Sequence, residues 1–401
     1  MTASLQRSSL SKLIRTEIRV FNRSLPAFQV CGCMGLLLAI VLAMSLVRYV
    51  GLSPSVMALI VATAVPTFLA MVMATKLITG EERIIYYHHE IAVMLAAAAL
   101  LWAASQPMLP YLDITILGIG AFLACGRIGC LMVGCCHGRP LQRGIRYTPE
   151  HAAAGFTEYY VGVPLFPIQL VESVWVASVV TIGVLFILNA EPAGTALAWY
   201  VIAYDLGRFF FEFMRGDPDR PYLWGFSQPQ WISVALMAVV VSLEQWGILP
   251  RTGWHLPAAT LLIAAMLATT VKRRSQNIPK HRLLHPRHVR EIAALLGALA
   301  DRLCEASYSC RWTVIPGQYS GPNVVRYGDT SIGIRISAGK VVDQAATAVC
   351  HYTLSCSGTE MPEESARLLA GVIGQLRHHG RYWRLIRGGR GVFHALFVGE
   401  T

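Results

Sequence analysis

Between Gly126 and Pro140 the chain reads GRIGCLMVGCCHGRP, which sets two arginines, three cysteines and a histidine at the end of a long apolar run, Ile114 to Cys125. A guanidinium placed in hydrocarbon costs about 3 kcal/mol or more unless an anion or a water-filled cavity receives it. Arg127 and Arg139, with the flexible Gly126, Gly129 and Gly138 around them, therefore mark a site for something anionic.

A second constellation lies in AWYVIAYDLGRFFFEFMRGDPDRP, where Tyr204, Arg208, Glu212 and Arg215 recur at i, i+4, i+8 and i+11. That spacing puts them along one face of a helix. On an otherwise apolar helix such a stripe must face a bundle interior or a polar cavity. Glu212 paired with Arg208 or Arg215 would also serve as a structural ion pair, and the two roles are compatible. In FPIQLVES, Gln169 and Glu172 share a face just after Pro167, a good first-turn residue. Glu172 either answers the helix dipole or supports the arginines. In YYHHEIAV, His88 is either an interfacial belt residue or a general base.

Cys130, Cys135, Cys136 and His137 admit three readings. They are small packing residues at a Gly-rich helix end, or ligands of a metal. Alternatively, one is a thiol activated by neighbouring Arg127 and Arg139.

The elements that must hold these residues are apolar. The 401 residues are 54% hydrophobic and 14% charged, against roughly a quarter charged in an ordinary soluble domain, and mean hydropathy is +0.49. Apolar runs near 28–49, 55–77, 89–106, 110–133, 167–188, 193–214, 229–247 and 257–271 predict an all-α polytopic membrane bundle of seven or eight transmembrane helices. The net charge of +11 favours anionic headgroups over nucleic acid in such a chain, and no nucleic-acid partner is expected. Ten cysteines in three groups are too sparse for a disulfide framework. No cleavable signal peptide is evident.

Four segments follow: a basic N-terminal segment 1–27; a transmembrane domain 28–274 with a cap loop 136–166; a basic linker 275–288; and a small soluble α+β domain 289–401. The last shows a helical pattern through Ile292, Leu296 and Leu303, strand-like runs at 309–316, 331–337 and 347–356, a helix at 363–379 and a hairpin of 382–387 with 391–398. The distribution of basic residues puts the cap loop and the tail in the cytoplasm.

These motifs resemble those of the prolipoprotein diacylglyceryl transferase family. Its signature Gly-Arg-Ile/Leu-Gly, closing with Gly-Arg, is similar to Gly126-Arg127-Ile128-Gly129 and Gly138-Arg139. Its Pro-x-Gln-Leu-x-Glu matches Pro167, Gln169, Leu170 and Glu172; its Arg-Phe-x-x-Glu-x-x-Arg followed by Pro-Asp matches Arg208, Phe209, Glu212 and Arg215 with Asp217-Pro218-Asp219; and Gln230-Trp231 opens the next helix. Departures fall within the signature. The family's two Asn residues fall on Cys130 and Val133, its Glu on Cys135, and its His-Gly-Gly-Leu on His88-His89-Glu90-Ile91. The chain thus resembles a divergent Cys-Cys-His branch with an extra C-terminal domain.

The resemblance implies a multi-pass enzyme of the bacterial inner membrane. It would move a diacylglyceryl group from phosphatidylglycerol, or another anionic phospholipid, to the thiol of a prolipoprotein. It implies Arg127 and Arg208 on the phosphate with His88 as base, Arg139, Arg215 and Gly126, Gly129 and Gly138 as further phosphate contacts, and Tyr204, Glu212, Gln169, Glu172 and Gln230 in support. It requires no metal or organic cofactor, and a monomer is expected. It also places the cap on the outer side of the membrane, and the ligand-binding arginines are then set aside from the charge tally. Two other readings stand beside it: a non-catalytic phospholipid-binding or assembly protein, and a membrane thiol-redox protein using the cysteines.

Overall fold

The computed structural model describes residues 14–20, 23–80, 86–217, 221–274, 280–305, 327–342, 348–378 and 383–398. A hairpin of β1 (Glu17–Val20) and β2 (Arg23–Pro26) precedes the bundle. The bundle helices are α1 (Ala27–Tyr49), α2 (Pro54–Thr79), α3 (Tyr86–Ala103), α4 (Met108–Val133), α6 (Ile168–Leu188), α7 (Thr195–Phe211), α8 (Gln228–Gln245) and α9 (His255–Arg274). They coincide with the eight apolar runs. Four of them, α1, α2, α4 and α6, are long and apolar enough to cross a membrane. α7 is shorter, at 17 residues, and carries Asp205 and Arg208, so the residues that make it useful also lower its hydropathy.

The axis of the bundle is α4, which packs against α1, α3, α6 and α7. Within its apolar window 61% is buried, against 11% for α2. α2 presents Leu59, Leu69, Leu77 and Ile78 outward, as a lipid-facing helix does. At Gly129 a β-carbon would lie 3.1 Å from Phe28 and 3.2 Å from Cys31, so a small residue sets the close approach of α1 to the end of α4.

After α4 the cap folds as β3 (Pro140–Ile145), a short α5 (Pro149–Ala153) and a 3-10 turn at Glu158–Tyr160, and between α7 and α8 a two-residue pair, β4 (Tyr222–Leu223) and β5 (Phe226–Ser227), runs antiparallel. The C-terminal module comprises α10 (Lys280–Leu283), α11 (Pro286–Glu305), strands β6 (Tyr327–Asp329), β7 (Ile334–Val342) and β8 (Ala348–Cys356), helix α12 (Glu363–Arg377), and β9 (Trp383–Arg387) with β10 (Phe393–Val398). Its sheet is antiparallel in the order β6-β7-β8-β10-β9. The strand-like run at 309–316 lies outside the described residues.

The module does not stand apart. Tyr147, Phe156, Tyr160 and Leu165 of the cap share one apolar core with Ile292, Leu296, Leu369 and Ile373 of α11 and α12. The module therefore sits on the same end of the bundle as the cap, the end where α4 finishes.

Candidate active site

That end is where the polar residues converge. α4 delivers Arg127 in its last two turns, α6 delivers Gln169 and Glu172 in its first two, α7 delivers Tyr204 and Arg208, and α8 begins with Ser227 as its cap. Antiparallel packing of neighbouring helices brings these ends together.

Glu172 is the hub and is fully buried. Its Oε1 lies 2.9 Å from Arg127 Nη2 and 3.6 Å from Arg208 Nη1, and accepts a hydrogen bond from Tyr204 Oη at 3.4 Å. Its Oε2 lies 3.6 Å from Arg215 Nη1. Arg208 also approaches Glu212 at 2.8 Å. Glu212 in turn accepts from Ser227 Oγ at 2.8 Å. Gln230 braces this corner, accepting from Ser227 N at 2.9 Å and donating to Phe209 O at 3.1 Å. Arg215 grips Asp217 with two nitrogens, at 2.7 and 3.2 Å.

The expected stripe along one helix is corrected here. α7 ends at Phe211, Glu212 is its cap, and Arg215 follows a turn. Arg215 still reaches Glu172 because an isolated bridge to Gly138 pins its backbone. Pro218 and Asp219 lie outside the described residues.

Arg127, Arg208 and Arg215 thus face Glu172, Glu212 and Asp217, three cations against three carboxylates. Charge is offset, yet donors are not. Arg127 Nε, Arg208 Nη1 and Arg215 Nη1 are buried without a hydrogen-bond acceptor of acceptable geometry, although two of these nitrogens sit within ion-pair distance of carboxylates. Buried donors left open in this way call for an explanation. Arg139 differs again: half-buried, it donates from Nε to the carbonyl of Arg215 at 3.3 Å, and it meets no carboxylate among the described residues. Burial pulls its pKa down from the usual arginine value, and it stays a cation at neutral pH. Gly138 allows this arrangement, since a β-carbon there would lie 2.4 Å from the carbonyl of Phe166.

A tyrosine stack flanks the cluster. Tyr204 stacks on Tyr200 at 5.6 Å, Tyr86 meets Tyr204 edge-on, and the Tyr86 and Tyr200 hydroxyls lie 3.2 Å apart. Behind the stack, Glu90 and Asp205 are buried. Sequence reasoning gave no role to Tyr86, Glu90, Asp205 or Ser227. The signal was there for two of them, because Tyr86 and Glu90 sit at i, i+4 and share a face. His88 is on another face of α3 and meets Tyr87 edge-on at 4.6 Å; none of the contacts described here links it to the arginines.

The cysteines form a second cluster beside the first. Gly134 closes α4 in the left-handed conformation (φ 82°), and Cys136 is left-handed too (φ 56°), which costs a non-glycine residue about 1–2 kcal/mol. The result is that Cys130, Cys135 and Cys136 hold their sulfurs within 4.8 Å of one another. Gln169 fixes the turn by donating to Cys135 O at 2.8 Å. Thiol hydrogen bonds from Cys130 and Cys135, aided by Arg215 and Arg127, hold the Cys136 thiol well below its usual pKa. The same sharing pushes Cys135 up. His137 is buried instead against Tyr160 and Phe156, with Nδ1 2.9 Å from Gly138 O. It packs under the cap, and burial lowers its pKa.

The family model of prolipoprotein diacylglyceryl transferase matches residues 84–246, the span holding every residue of the arginine cluster. That central region is similar to the family. Among relatives, phosphatidylglycerol–prolipoprotein diacylglyceryl transferase 2 of Clostridium perfringens is 31% identical over 132 residues, covering 32% of this chain and 49% of the relative. The Clostridium tetani transferase is 30% identical over 143 residues, 35% and 54% of the two chains, and that of Dehalococcoides mccartyi is 31% identical over 134 residues, 33% and 49%. The chain spans about half the length of the curated relatives it matches. α1, α2, α9 and the C-terminal module lie outside the family match.

Proposed function

We propose that this chain is a membrane transferase that moves a diacylglyceryl group from phosphatidylglycerol, or a similar anionic phospholipid, to the thiol of a lipoprotein precursor. The observation that carries this is the set of open arginine donors around Glu172. Arginine is a permanently charged, bidentate partner for phosphate, and pre-aimed charge in a dry site stabilises a departing phosphate strongly. Arg127, Arg208 and Arg215 would share the phosphate, with Arg139 as a cation that meets no carboxylate among the described residues. Glu172, Glu212, Tyr204, Gln169 and Gln230 would keep the guanidinium groups in position while the site is empty.

In this reading the acceptor sulfur attacks the glyceryl carbon, the carbon–oxygen bond breaks, and glycerol phosphate leaves with the electron pair. All eight long helices would cross a bacterial inner membrane. Residues 28–274 would form the transferase-like domain, with the cap and the 289–401 module together on the outer side, and the chain would act as a monomer. The test is whether the gene restores lipoprotein modification in cells depleted of their own transferase. Recovery of lipidated precursor is expected. Failure with the protein present and folded in the membrane would overturn the reading.

A further inference from the structure

We propose that Cys130, Cys135 and Cys136 form a three-thiolate site for zinc(II), and that its open fourth position takes the acceptor thiol. The second half of this inference rests on the transferase reading above; the first half does not.

Three observations lead here. The sulfurs lie within 4.8 Å of one another, whereas four-coordinate zinc with about 2.3 Å bonds sets its sulfurs about 3.8 Å apart. Closing that gap needs movement of about an ångström. Second, consecutive cysteines normally point apart, and the left-handed backbone at Cys136 accompanies their convergence; simple packing would not require that strained conformation. Third, the donor set is all sulfur, which selects zinc or a softer ion over magnesium or calcium. Zinc with three thiolates carries one net negative charge, and Arg127 and Arg215 both bear on Cys136. Three is also the protein ligand count of catalytic zinc, which keeps one position open, and three thiols leave one over from any disulfide.

There is room for the fourth ligand. Cys135 is exposed, and at Gly126, one helical turn before Cys130 on the same face of α4, a β-carbon would meet nothing within 4 Å. A thiol bound to zinc is deprotonated outright. The acceptor would exchange its S–H bond for a zinc–sulfur bond, the proton leaving to water. The sulfur lone pair would then form the carbon–sulfur bond as the glyceryl carbon–oxygen bond breaks, the electron pair departing on the phosphate oxygen held by the arginines. The zinc ends with its fourth position open.

The experiment uses the full chain in detergent micelles, loaded with cobalt(II) in place of zinc and, in parallel, assayed for bound zinc by elemental analysis. Expected are one metal per chain, a sulfur-to-cobalt charge-transfer absorption and the intense visible bands of a four-coordinate site. Cys136→Ser alone, and Cys135→Ser with Cys136→Ser, should lose that absorption while keeping the melting curve of metal-free wild-type protein; Cys33→Ser should keep it. A peptide with a free cysteine should shift the visible bands, and its serine counterpart should not.

Absence of metal from monodisperse wild-type protein, absorption that survives in the double variant, or a disulfide within the trio would overturn the inference. Metal binding with no response to the thiol peptide would overturn its second half. Full transfer by metal-free protein would overturn that half too while upholding the transferase reading, and metal binding in a protein that fails the complementation test would do the reverse for the site itself.

Discussion

α4 carries a buried polar residue near each end, and the two ends treat them differently. Near its start, Asp113 is buried and accepts from Gly194 N and Leu197 N, each at 2.7 Å. One carboxylate there answers the unpaired amides that open α7. Near the end, Arg127 meets Glu172 but leaves Nε without an acceptor, and Arg208 Nη1 and Arg215 Nη1 face carboxylates within ion-pair distance without hydrogen-bond geometry. The charge is offset at the second end and the hydrogen bonds are not. A buried group whose partners are complete is explained by the fold; a buried group with open donors calls for a further partner, a ligand or a water.

The largest break in this contrast comes from Glu172→Gln, which leaves three guanidinium groups around a neutral amide. Removing one partner of a buried ion pair costs about 3–5 kcal/mol, so thermal unfolding in micelles should move down by many degrees and transfer should vanish. A melting curve like that of the wild type would show that Glu172 does not hold the cluster. Next, Arg127→Lys and Arg208→Lys keep the charge but lose the planar fork. Transfer per folded molecule should drop by about 100-fold or more, with little change in melting, and unaltered transfer would remove those residues from the phosphate.

At the other end of α4, Asp113→Asn should cost about 1–2 kcal/mol as a weakened helix cap and leave transfer per folded molecule unchanged. A loss of transfer there would erase the distinction between the two ends.

Much of this was legible in the residues themselves, because period 3.6 and apolar run length report what a helix buries. The eight runs fall on eight helices, and Arg208 meets both Glu212 and Glu172 as their shared faces predict, while Gln169 turns to the Cys135 carbonyl. What stayed hidden depended on pairing between distant segments. That Arg215 leaves the helix yet reaches Glu172 follows from its bridge to Gly138, 77 positions earlier. That the C-terminal module shares its core with the cap follows from contacts such as Tyr160 with α11, which no local pattern encodes. The convergence of three thiols needed the positive φ of Cys136, a conformation a cysteine rarely adopts.

The module gives the smallest expected effect. His351 and His394 lie 3.0 Å apart on neighbouring strands, and burial, then His394, pushes the His351 pKa from 6.5 down to about 4. A histidine that binds its proton less readily when folded leaves stability intact above pH 6.5, and stability falls between there and about pH 4. The melting temperature should therefore drop a few degrees over that interval, and His351→Gln should flatten the profile. An unchanged slope in the variant would assign the pH response elsewhere.

The central claim is that the open guanidinium donors hold a phospholipid's phosphate while its diacylglyceryl group moves to sulfur. Purified full-length protein should be given phosphatidylglycerol labelled in its glyceryl backbone and a precursor peptide with one cysteine, beside the Arg208→Lys variant. The account predicts a thioether-linked labelled peptide and released glycerol phosphate from the wild type, and neither from the variant. Equal transfer by both proteins, or none by a folded wild type in a lipid environment, would contradict it.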